Sequence, residues 1–104
     1  MPLPQAIVTN PANGANKGNG TFTWSIQGIA HVKSKVIVGY TPGVDDIYNG
    51  GPGFNPPTYT DTGVNHPGGN TTCYTRPKYQ KVAGGAWYTT YSTITTFTST
   101  QRFP

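Results

Sequence analysis

The residues able to move protons or act as nucleophiles are few: two histidines (His31, His66), one cysteine (Cys73) and three aspartates (Asp45, Asp46, Asp61), with no glutamate. A nucleophilic relay needs a base beside Ser, Thr or Cys. His31 lies between Ala30 and Val32, on the face opposite Trp24, and reads as a solvent-facing strand histidine. His66 precedes Pro67 in a glycine-rich stretch with no motif around it. Glycoside hydrolysis needs two carboxyl groups facing each other across a cleft. Asp45 and Asp46 are adjacent, and on an extended backbone they point to opposite sides. With Asn49 they offer oxygen ligands for calcium, but Asp in a Pro/Gly loop ordinarily makes turns, so no metal site is assigned.

A lone Cys73 excludes an intrachain disulfide and a zinc site built on several thiolates, and reads as a small buried hydrophobe. Gly50-Gly51-Pro52-Gly53 lacks the Lys-Ser/Thr and the following helix of a phosphate loop. The expectation is a protein that is not an enzyme and carries no cofactor.

Two groups of residues suggest binding instead. Arg76, Lys78 and Lys81 are interleaved with Tyr74 and Tyr79, and cations beside aromatic rings on a strand can hold single-stranded nucleic acid. The plainer reading, which we prefer from sequence, is that these cations protect an edge strand from aggregation, so nucleic acid is not the expected partner. Seven cations against three acids give +4, a mild bias toward acidic partners on a surface made mostly of hydroxyls and amides. The second group is apolar: Ile7 and Val8 near the amino terminus, and Tyr48, Phe54 and Tyr59 in the middle of the chain, all assigned to contact with protein partners.

The elements that must carry these residues are strands. There is one Leu and one Met, while threonine occurs 17 times, tyrosine 7, glycine 14 and proline 10. Branched and aromatic residues suit a pleated surface, and Gly and Pro punctuate it. In Thr21–Gln27 the apolar Phe22, Trp24 and Ile26 alternate with polar residues, the signature of a half-buried strand. The same parity runs through Val36, Val38 and Tyr40, and a turn is expected near Lys33–Lys35. Residues 71–83 and 86–100 flank Gly84-Gly85 and form a hairpin. Pro77 marks the first arm as an edge strand or a kinked one, and Ile94 breaks the parity shared by Trp87, Tyr91 and Phe97, so a bulge or a strand buried on both faces is expected there.

Residues 41–70 hold seven glycines and five prolines, a long connection of the kind that is usually functional or packed on a partner. Residues 1–20 read as an extended Pro/Asn/Gly-rich arm ahead of a single β-domain spanning 21–104. Five to seven strands in 104 residues suit an antiparallel β-sandwich or small barrel of immunoglobulin-like size.

Met1–Gln5 lacks a secretory start, and no run of apolar residues is long enough to span a bilayer as a helix. A charge-poor, Thr/Asn/Gly-rich surface on a cytosolic product fits a structural protein of a virus or phage particle, assembled in the host cytoplasm. The expected role is a capsid decoration or stabilising protein, a homo-oligomer that grips neighbouring subunits through the arm and the central loop. A carbohydrate-binding or adhesion module is the alternative, with Tyr48 and Tyr59 as sugar platforms.

Overall fold

Alternation of Phe22, Trp24 and Ile26 with Thr23, Ser25 and Gln27 sets one strand and its buried face, and the rest of the molecule is assembled on that face. The computed structural model describes residues 5–18, 20–89 and 94–100. Those residues form eight strands and no helix: β1 (Gln5–Asn10), β2 (Asn16–Lys17), β3 (Phe22–Gln27), β4 (Lys33–Gly39), β5 (Thr60–Asp61), β6 (Thr71–Gln80), β7 (Trp87–Tyr88) and β8 (Thr95–Ser99). One sheet has the order β1-β3-β5 and the other β2-β8-β6-β4, with β7 also paired to β6. The pairs are antiparallel except β2 with β8.

The two sheets meet face to face, as in a β-sandwich. Ala6, Val8, Phe22, Trp24 and Ile26 of the first sheet pack with Val36, Val38, Cys73, Tyr79 and Phe97 of the second. Phe22 meets Phe97 edge to face at 5.4 Å between ring centroids. Across the same interior the Trp24 indole N–H donates to Ser34 Oγ at 2.9 Å, which satisfies both buried groups and pins β3 to β4.

β4 departs from the expected pattern. Lys33–Lys35 belong to the strand, and the break falls earlier, after Gly28, which adopts a φ of +73°. Alternation is lost because residues 34–39 are buried on both faces. The central connection accounts for the outer cover: Tyr48 exchanges backbone bonds with Val38, and Phe54 with Ser34, so that residues 48–54 run along the otherwise free side of β4. A buried strand edge must find partners, and here glycine-rich chain supplies them. His31 falls in the β3–β4 connection, its ring bonded to the Ile29 carbonyl and to the Tyr59 hydroxyl, both at 2.8 Å.

The Gly84-Gly85 hairpin forms between β6 and the β7/β8 segment, but β6 is a central strand and not an edge. Pro77 is accommodated because its outer neighbour is interrupted there: β8 pairs with Thr71–Thr75 and β7 with Tyr79 and Gln80. The Pro77 carbonyl accepts from the Thr89 hydroxyl at 3.3 Å on that same side, so the ring nitrogen, which cannot donate, faces the gap in the ladder. Tyr91, named in the expected bulge, lies outside the described residues. The segment read as an arm contributes β1 to one sheet and β2 to the other.

Candidate functional site

β6 alternates cleanly. Cys73, Thr75, Pro77 and Tyr79 are buried, and Tyr74, Arg76 and Lys78 face outward, half-buried. Register with β4 puts Lys35 directly opposite Lys78, Ile37 opposite Arg76 and Gly39 opposite Tyr74 on that outer face. Trp87 of β7 lies opposite Gln80 and joins the same surface, its ring 4.5 Å from the Lys35 ammonium, a cation–π contact. The result is a basic, aromatic-bearing sheet face.

Loops frame this face. Lys35 is 6% exposed, and its Nζ reaches the Gly51 carbonyl at 3.3 Å and Asn49 Oδ1 at 3.5 Å. Burial pushes its pKa below the ordinary lysine value, and the Lys78 charge pushes the same way, against a smaller opposing pull from Asp45. A Cβ added at Gly43 would stand 3.6 Å from an Arg76 guanidinium nitrogen, so the connection after β4 brushes Arg76, whose Nε has no partner among the described residues. Lys81 does not join this face: its ammonium lies 4.8 Å from the ring of Tyr88, which pairs with the inward-facing Tyr79.

The residues assigned to protein contacts divide. Ile7 is 41% exposed on the outer side of β1, whereas Val8 points into the core. Tyr48, Phe54 and Tyr59 are partly buried against the core rather than projecting. The Tyr48 hydroxyl donates to Asp61 in a short bond, and burial followed by that bond drives its pKa up. Phe54 stacks toward Trp24 at 5.9 Å, and the Tyr59 hydroxyl is held by His31.

The proton-handling residues are dispersed. No described histidine is hydrogen-bonded to a Ser, Thr or Cys, and no three described His, Cys or Asp side chains come together as metal ligands. Cys73 is buried and its thiol is pushed up to about 11 by burial. His66 is 3% exposed, 5.5 Å from the Phe22 ring and 5.8 Å from the Phe97 ring, with neither ring nitrogen bonded among the described residues. Burial and then the Lys17 charge lower its pKa.

That environment sets a pH dependence. An unfolded histidine takes up a proton below about pH 6.5, while the folded one resists it, so stability is full above that value and falls as the pH drops toward the lowered folded pKa. The expected slope is at most about 1.4 kcal/mol per pH unit. His66→Phe, which removes two unpaired nitrogens from an aromatic box, should raise the melting temperature and flatten its decline between about pH 7 and pH 5. Thermal melts of both proteins across that range are the check, and parallel pH profiles would refute the assignment.

Sequence reasoning missed Lys35 and Trp87. The parity of Lys33 and Lys35 opposite Val36 and Val38 could have found the lysines, but only the pairing of β4 and β7 with β6 brings them beside Arg76 and Lys78. In comparisons with known proteins, no family model, curated sequence or solved structure matches this chain.

Proposed function

We propose that this protein is a non-enzymatic structural subunit of a virus or phage particle, a decorating or stabilising protein of immunoglobulin-like size that assembles with copies of itself. The observation that carries the reading is β1. It is the outer strand of its sheet, six residues long, and it bears no charge, no proline and an exposed Ile7. Natural sheet edges normally carry such protections against pairing, and their omission suits a strand that is paired in use.

The sheet face beside it agrees. Gln5, Ile7 and Thr9 of β1 lie beside Thr23, Ser25 and Gln27 of β3, so the face carries amides, hydroxyls and one aliphatic group. Uncharged groups can be buried against a second copy without stripping water from ions. The central loop, also assigned to partner contacts, covers β4 with its inner side and leaves Tyr40 and Val44 as its exposed apolar residues. A charge-poor, hydroxyl-rich exterior is the setting that fits a particle surface.

Ile7→Lys is the test, since residue 7 is solvent-facing and the change leaves the core untouched. Deleting residues 1–11 would instead remove β1 from its sheet. Lysine on the edge should weaken self-association by about tenfold or more, read by sedimentation equilibrium, with an unaltered melting temperature. An unchanged association constant would overturn the role given to β1.

A further inference from the structure

β6 is an inner strand, with β4 along one side and β8 and β7 along the other except for the gap at residues 76–78, so its cations do not line an outer edge of the sheet, which is the ordinary use of lysine there. Four of the seven cations nonetheless share the outer face of the β4–β6 pair: Arg76 and Lys78 by alternation, Lys35 by its position opposite Lys78, and Lys33 opposite Gln80. Like charges set directly across a ladder destabilise it. The chain's own acids relieve them little: Asp45 exerts a smaller opposing pull on Lys35, and each acid has a hydrogen-bond partner of its own. Asp45 accepts from Asn49 Nδ2 at 2.6 Å, Asp46 from the Tyr40 backbone N–H at 2.9 Å, and Asp61 from Tyr48 and the Gly63 N–H. No ion pair forms among the described residues.

A face that retains opposed cations with no ion pair among the described residues is complementary to a polyanion. The aromatic residues decide which kind. Tyr74 sits two positions from Arg76 on this face, and Trp87 borders it under Lys35. An acidic protein would engage the cations and leave the rings idle, and a duplex calls for an element shaped to enter a groove. A strand face that sets half-buried Tyr74 beside Arg76 and Lys78 fits unpaired bases and their phosphates. Arg76 and Lys78 stand about 6.7 Å apart along the strand, so one extended backbone can lie across both.

We propose that the outer face of β6, beside the covered β4, binds single-stranded nucleic acid, with phosphates held by Arg76 and Lys78 and a base stacked on Tyr74. This surface belongs to the sheet opposite β1, so the inference stands apart from the assembly reading.

Fluorescence anisotropy with labelled single-stranded DNA and RNA of about 20 nucleotides tests it on the full chain. Affinity should fall between about 50 and 200 mM salt with a log–log slope of about −1.4 to −2.1, as expected for two or three neutralised phosphates. An R76Q/K78Q double variant should bind at least about tenfold more weakly, and each single variant should reduce the slope by about 0.7. Tyr74→Leu should weaken binding by about fivefold or more through lost stacking. K81Q, altered outside this face, should bind within about twofold of the parent, a control for net charge. The single variants keep the test open if the double variant melts. Absence of binding at low salt, a double variant that binds like the parent, tighter binding to a duplex of equal length, or preference for polyglutamate would each overturn the proposal.

Discussion

Trp24→Ala is expected to cost about 3–5 kcal/mol, a large share of the roughly 5–15 kcal/mol that holds a domain of this size together. Trp24 is 2% exposed, the largest of the fully enclosed side chains, and it does two things at once. Its rings fill the space between the sheets against Phe54, while its N–H satisfies the fully buried Ser34 Oγ. Alanine leaves both a void and a hydroxyl stripped of its donor. Trp24→Phe separates the contributions: it keeps most of the packing and should lose about 1–3 kcal/mol, of which Ser34→Ala in the same chain should restore a part. Urea unfolding midpoints measure all three. A Trp24→Ala protein within about 1 kcal/mol of the parent would show that the two sheets are joined elsewhere.

The second large effect is expected at Gly39, the last residue of β4. Its φ is not in the left-handed region, so the obstacle to a side chain is space alone. A Cβ there would collide with the Val44 carbonyl oxygen, lie 2.7 Å from the carbonyl carbon, and come within 3.0 Å of Asp46 Oδ1. These groups belong to a turn closed by the Val44 N–H to Thr41 bond and by Asp46 on the Tyr40 N–H. Backbone cannot step aside as a flexible side-chain end can. Gly39→Ala should therefore lose about 2–3 kcal/mol and lower the melting temperature by about 10–20 °C. Because the same turn borders Arg76, the Tyr40 and Val44 amides should also exchange faster with solvent in the variant. Calorimetry with hydrogen exchange reads both, and a melting temperature within about 3 °C of the parent would refute the clash.

Much of the all-β fold could be read from local pattern. Phe22, Trp24 and Ile26 announced β3 because one face of that strand is solvated and the other is not. Gly84-Gly85 announced the hairpin because turn chemistry is local. β4 was misread at Lys33–Lys35, since polar residues inside a strand look like a turn unless one knows that residues 49–51 wait to receive the lysine. Pro77 suggested an edge for a similar reason: a proline needs only one unpaired side, and a gap between two neighbouring strands supplies it as well as an edge does. The candidate site was half legible. Arg76, Lys78 and Tyr74 stood out by spacing, whereas Lys35 and Trp87 join them through pairings between distant parts of the chain. The loop aromatics looked exposed because sequence shows their polar neighbours and not the hydrophobic interior beneath them.

The cover that residues 48–54 provide for β4, together with the two-residue lengths of β2 and β5, leaves β1 as the one long open rim among the described residues. Such a molecule has a valence of one for strand pairing. Two copies that meet rim to rim about a twofold axis satisfy each other and offer nothing to a third, so the contact closes on itself instead of propagating into a fibre.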